Sequence, residues 1–258
     1  MKTKTILALV TLLLAAGCFQ IDQSIDLQKD LSGTADFHLG IDFEPMITVM
    51  AQFAHEMEGK KGPASQAEID KARADFKKNS KKTTSEKPSR ADIEKDLPEG
   101  VKLLDFKATE KDFGVATDFK FAFDKLSRLV NVKLPQKEGG DPTQKNVVDS
   151  PFDGLEVVEK GDTITIRAKA QNPTEAVKDE AKSSQTKIDP ETEKLMRDAF
   201  SKLRVTYRIT APFTIVSHNA TRKQGNTLIW EYDMARFEAM AKDKKNLADA
   251  GPQVTYKR

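Results

Sequence analysis

The 258-residue sequence contains one cysteine, one tryptophan and three histidines, and each scarcity closes off a class of protein. A lone Cys18 cannot form an internal disulfide, so stability must come from packing even in an oxidising compartment. It also leaves no set of thiolates for a structural metal. His38, His55 and His218 are scattered, and His55-Glu56-Met57-Glu58-Gly59 lacks the second histidine that a zinc-protease helix carries four residues on. No Gly-x-Ser-x-Gly elbow is present, and no Gly-rich loop ends in Gly-Lys-Ser or Gly-Lys-Thr. Acids are plentiful, yet none are singled out as the facing pair that glycoside hydrolysis needs. The expectation is a protein with no catalytic residue, no metal site and no cofactor. Beyond the first 18 residues no apolar run is long enough to cross a bilayer as a helix.

What is present begins at the N-terminus. Lys2 and Lys4 precede an uncharged stretch from Ile6 to Ala16, and Gly17-Cys18 follows. A basic start, a short apolar core and small residues before the break describe a secretory signal peptide over residues 1–17. Eleven apolar residues are too few to span a bilayer core of about 30 Å. Leu14-Ala15-Ala16-Gly17-Cys18 resembles the bacterial lipobox, which implies cleavage after Gly17 and a diacylglycerol, with palmitate-type acyl chains, on Cys18. An ordinary signal peptide with an incidental cysteine is the plainer alternative. Phe19, and not Asp, follows the cysteine; in Gram-negative sorting this implies the periplasmic face of the outer membrane, and in other hosts the cell membrane. Removing residues 1–17 takes two lysines from 42 basic residues and leaves 40 against 40 acids. A neutral mature chain lacks the basic footprint of a nucleic-acid binder.

The remaining 241 residues are sufficient for one large or two small domains. We treat 18–258 as one lipid-anchored domain. Phe19, Ile21, Ile25 and Leu27 alternate with polar residues, as do Ala35, Phe37, Leu39 and Ile41 across a Lys29–Gly33 turn, which predicts a hairpin with one apolar face. A helix follows Pro45, with Met46, Met50, Phe53 and Met57 at spacings of four, three and four. That stripe fits two roles: packing against a sheet, or covering an apolar cavity that takes an acyl chain. Residues 60–90 hold ten basic residues against four acids and read as a flexible insertion carrying at most a surface helix from 67 to 76. They are either solvated or in contact with anionic headgroups. A short helix is expected from Ser89.

Val101–Thr109 and Phe113–Phe123 predict a second hairpin, and the phenylalanine-rich face of its second strand is expected at the sheet centre. A short helix follows at 124–131. Further strands are expected at 155–158, 163–168, 205–209, 213–217 and 228–232. A helix capped by Asp189 and Pro190 carries Leu195, Met196, Phe200 and Leu203, and another contains Met234, Phe237 and Met240. Residues 171–187 read as a second flexible insertion, and the tail from Lys242 as charged and weakly structured. Hairpins separated by helices, without βαβ alternation, predict an α+β fold with an antiparallel sheet built from hairpins and packed by amphipathic helices.

Two stretches resemble the domain of LppM-like bacterial lipoproteins. One is Asp26-Leu27-Gln28-Lys29-Asp30-Leu31-Ser32-Gly33-Thr34-Ala35-Asp36-Phe37. The other runs from Ala211-Pro212-Phe213 through Asn219-Ala220 to Gly225-Asn226-Thr227-Leu228-Ile229-Trp230. The resemblance covers about 30 positions, all in folding motifs. It implies a cell-envelope domain, with lipid handling as one option and a protein partner unspecified. A binding or structural lipoprotein is the leading expectation, a lipid-binding module the second and a hydrolase of dispersed residues the third.

Overall fold

The computed structural model describes residues 18–83, 89–134, 151–152, 154–168, 194–195, 197–199, 201–242 and 251–258. The predicted first hairpin is present as β1 (Cys18–Leu27) and β2 (Gly33–Asp42), with Phe19 opposite Ile41 and Ile25 opposite Ala35. The period of two holds along β1: Phe19, Ile21, Ile25 and Leu27 are buried, whereas Gln20 and Asp26 face solvent. At the turn Leu31 adopts φ 66°, an uncommon conformation for a residue with a Cβ, and its side chain is buried in the core. Gly33 is required there, because a Cβ would lie 2.0 Å from the Asp26 carbonyl oxygen.

Two helices follow, α1 (Glu44–Met57) and α2 (Gln66–Thr83), then a short α3 (Arg90–Lys95). Ser89 caps α3 in a reciprocal box with Asp92, as its sequence position predicts. The second hairpin is β3 (Val101–Lys111) and β4 (Gly114–Phe123), followed by a 3-10 turn at Leu126–Asn131. The hairpin β5 (Glu156–Lys160) and β6 (Thr163–Arg167) comes next. The chain then forms β7 (Arg204–Thr210), β8 (Thr214–His218), β9 (Arg222–Gln224), β10 (Thr227–Asp233), α4 (Met234–Lys242) and β11 (Gln253–Lys257).

The class is α+β, with two sheets where one was expected. The first has seven strands in the order β3-β4-β2-β1-β7-β10-β9, and the second has four in the order β5-β6-β11-β8. A single apolar cluster joins Phe37, Phe121, Val205 and Trp230 of the first sheet to Ile164, Ile166, Val254 and Tyr256 of the second. The packing is therefore sheet on sheet, and α3 and α4 add Ile93 and Phe237 to the same core. Among the described residues all pairings are antiparallel except one, since β1 runs parallel to β7 with Ile21 beside Val205.

Three expectations are corrected. The phenylalanine face of β4 is buried at Phe119, Phe121 and Phe123, but β4 lies next to the sheet edge and β1 takes the centre. Alternation reports which face is apolar and carries no information on strand order. The C-terminal tail is not unstructured at its end: β11 lies inside the second sheet, with Val254 and Tyr256 wholly buried. Residues 66–83 form one continuous 18-residue helix that docks on α1. The insertion expected at 171–187 lies outside the described residues, as do Asp189, Pro190, Met196 and Phe200 of the predicted helix.

Candidate functional site

The four residues proposed for an acyl-binding stripe all fall on α1 but do not share one environment. Met46 is fully buried, Met50 and Phe53 are partly buried, and Met57 is 54% exposed. The buried face of the helix is instead Met46, Ile47, Val49, Ala51, Gln52 and His55. Met46 and Val49 pack with Ala199, Leu195, Phe43 and Phe76 in a small cluster distinct from the main core. The stripe was shifted because two polar residues, Gln52 and His55, occupy the face toward α2.

Those polar residues hold the α1–α2 hairpin closed. The Gln52 amide donates to the Gly62 carbonyl at 3.2 Å and its oxygen accepts from Ala64 N at 2.7 Å. His55 Nδ1 lies 3.0 Å from Glu68, which also accepts from Lys60 at 2.8 Å and from the Ser65 amide and hydroxyl. The hydrogen bond to Glu68 raises the His55 pKa above its ordinary value, and Lys60 with His55 holds Glu68 well below its own. At the other end of the hairpin Arg73 Nε donates to Glu44 at 2.8 Å.

A depression lies elsewhere, on the open polar face of the seven-stranded sheet, with a volume of about 380 Å³. It arises from the outward side of the same alternation: Asp22 and Ser24 on β1, Asp36 and His38 on β2, Asp118 and Lys120 on β4, Arg208 on β7. His38 Nδ1 is 2.6 Å from Asp118, Lys120 reaches Asp36 at 3.2 Å, and Arg208 reaches Asp22 at 3.5 Å. Lys120 and Arg208 are thus each answered by an acid on a neighbouring strand, as is the His38 ring.

Serine, histidine and aspartate meet here, so the nucleophilic reading can be tested on geometry. Ser24 Oγ donates to Asp36 at 3.4 Å. The imidazole of His38 turns the other way, with Nε2 3.2 Å from where a Cβ of Gly40 would stand. Gly40 gives the ring room to lie along the strand, away from Ser24. The nucleophile–base contact that a serine hydrolase needs is missing. Histidines 38, 55 and 218 lie in three separate places, and no group of three metal-binding side chains occurs among the described residues.

Cys18 is the first residue of β1, paired with Asp42, which in turn pairs with Gly114 on β4. Asn219, noted in sequence only as part of a closing pattern, proves to be a junction between the sheets. Its side-chain oxygen accepts from Trp230 Nε1 at 2.6 Å and from Gln253 N at 2.8 Å, and its amide donates to the Gly251 carbonyl. The spacing of Asn219 to Trp230 was visible in the sequence; the other two partners, Gly251 and Gln253 near the C-terminus, were not.

No family model matches this sequence and no curated protein does. Among solved structures, the NMR structure of the folded domain of LppM from Mycobacterium tuberculosis is similar to it. The match covers 93% of this chain and 90% of that one, at 10% identity and a TM-score of 0.43. This is the family that the two terminal hairpins resemble. A likeness of that strength says nothing of ligand or activity.

Proposed function

We propose that the protein is a lipoprotein of a bacterial cell envelope, held by a diacylglyceryl group on Cys18 after cleavage behind Gly17, with a binding or structural role at the membrane surface and no enzymatic activity. The observation that carries this reading is the lipobox-like Leu14-Ala15-Ala16-Gly17-Cys18 ending of a signal-peptide-like segment, set only one residue before the core side chain Phe19. The first apolar side chains after the cysteine, Phe19 and Ile21, are core residues. The paired charges on the open sheet face support a solvated or partner-binding surface over a catalytic one. Phe19 is compatible with outer-membrane sorting, and its burial means that packing also demands an apolar residue there.

The test is replacement of Cys18 by Ala in the full-length chain expressed in a bacterial host. The wild-type protein should carry the mass of a diacylglyceryl group and partition with membranes through a carbonate wash. The variant should lose both. A variant that remains in the washed membrane would place the anchor elsewhere.

A second reading, lipid handling through α1, draws on one observation: Met57 is exposed beside a partly buried Phe53, leaving an apolar margin on the helix. Met50→Leu with Met57→Leu largely keeps volume and should spare stability. A loss of fluorescent fatty-acid binding in that variant would favour the lipid-handling role, and no binding by the wild type would end it.

A further inference from the structure

We infer that one end of the sheet is a membrane-docking surface: the start of β1, the end of β2, the β3–β4 turn and the α2 segment packed on them lie against the headgroup layer of the anchoring bilayer. The inference rests on lipidation at Cys18 and goes beyond it by naming the surface and its orientation. Three observations carry it. First, no spacer separates Cys18 from the fold. Cys18 is itself a rung of the ladder, opposite Asp42. Freeing it as a tether would pull Phe19 and Ile21, 2% and 3% exposed, out of the core. At about 3.3 Å per residue, a tether of one or two residues could not lift the domain clear of the headgroups in any case.

Second, the same end carries an exposed-edge aromatic cluster. Phe43 directly follows Asp42, and Phe113 directly precedes Gly114, so both stand within about two strand spacings, some 10 Å, of Cys18. Phe76 of α2 packs between them, with ring centroids 5.4 Å from Phe43 and 6.3 Å from Phe113. All three rings are only partly buried. Third, the cluster is rimmed by cations. Lys77 Nζ lies 4.7 Å over the Phe113 ring and 3.5 Å from Asp112, and the exposed Lys78 follows it on α2. Of the nearby acids, Glu44 is paired with Arg73 and Asp112 with Lys77. Partly exposed aromatic rings beside flexible lysine stems are the composition of a surface that rests in the interfacial layer over anionic lipid.

This docking sets the strands on end above the membrane. The Lys29 turn between β1 and β2 then points away from the bilayer, about 30 Å from Cys18 along the strand. The charged depression around Asp22 and His38 stands about 13 Å above the anchor, open to the side.

The experiment compares Phe113→Trp with Lys29→Trp in the full-length lipoprotein, reconstituted in vesicles of phosphatidylglycerol and brominated phosphatidylcholine. The native Trp230 is fully buried and contributes the same background to both. Circular dichroism checks that each variant folds, and intact mass checks that each carries its lipid. The expected result is loss of most of the added emission from Phe113→Trp and none from Lys29→Trp. A Gly/Ser linker of about 20 residues placed directly after Cys18 should restore the Phe113→Trp emission by letting the domain leave the surface. Equal quenching at both positions, or none at Phe113→Trp in a lipidated protein, would overturn the docking surface. Absence of the lipid mass would overturn the anchor itself, so the two failures are told apart.

Discussion

The two-sheet body and the α1–α2 hairpin are built by opposite means. The body is held by apolar burial, with Trp230, Tyr232, Phe37 and Phe121 all nearly inaccessible to water, and by β ladders on both sides of every central strand. The hairpin has a small apolar cluster around Met46 and Val49, and much of its closure is polar: Gln52 to the loop, His55 and Lys60 to Glu68, Arg73 to Glu44. Burial is indifferent to pH and weakened little by salt, whereas exposed ion pairs are modest and screened. The body should therefore unfold as a unit, and the hairpin should loosen under milder conditions than the body requires.

The sharpest way to break this contrast is Trp230→Ala. Truncating a fully buried indole should cost about 3–5 kcal/mol, read as a drop in the urea midpoint of the whole body. A change confined to α1 and α2 would show that the contrast has been drawn in the wrong place.

Asn219→Ala asks whether the two sheets of the body are one cooperative unit. It leaves the buried Trp230 Nε1 without its acceptor, at about 1–3 kcal/mol for a buried group left unsatisfied, and removes a more exposed bond to Gln253 N. Amide exchange should accelerate first in β11, since Asn219 also pairs through its backbone amide with the Gln253 carbonyl. Uniform acceleration across β1, β2 and β4 would mean that β11 has no independent opening.

The smallest effect sharpens the comparison from the other side. The folded His55 pKa is raised above 6.5, so its contribution is complete below 6.5 and disappears as pH rises through the raised value. Glu68 is lowered from 4.5, so its contribution is complete above 4.5 and disappears only as pH falls through the lowered value, in strong acid. The hairpin should be tightest between those two pH values and looser at alkaline pH. Amide exchange along the second half of α1 should therefore quicken as pH rises above 6.5, after correction for intrinsic rates, and His55→Gln should flatten that response. The same pH response in β7 or β10 would join the hairpin to the body.

Much of the body was legible because alternation is a local property. Phe19 to Leu27, Ala35 to Ile41 and Val205 to Ile209 each announce a strand and its buried face without reference to any partner. The Ser89 cap and the Gly225 turn were legible for the same reason, since their backbone requirements are met by single residue types. The hairpin was harder. Four methionine and phenylalanine positions at helical spacing suggested one face, while the contacts that place α2 come from Gln52, His55 and Glu68, whose partners could not be paired from sequence.

The depression around His38 shows the same limit. Its residues are the polar half of strands that were recognised, yet their convergence depends on which strands become neighbours. Asp118 meets His38 only because β4 lies beside β2, and Arg208 meets Asp22 only because β7 lies parallel to β1.

By itself the sequence determined the lipobox-like ending, the start of structure immediately after it, the strand faces and the α+β class, because each rests on the order of residues within a short window. Only the tertiary structure decided that β1 is central, that Val254-Thr255-Tyr256 closes a second sheet, and that Cys18 shares its end of the molecule with Phe43, Phe76 and Phe113. Those outcomes depend on pairings between segments far apart in the chain, where the free energy comes from surfaces buried jointly and no single segment carries the pattern of its partner.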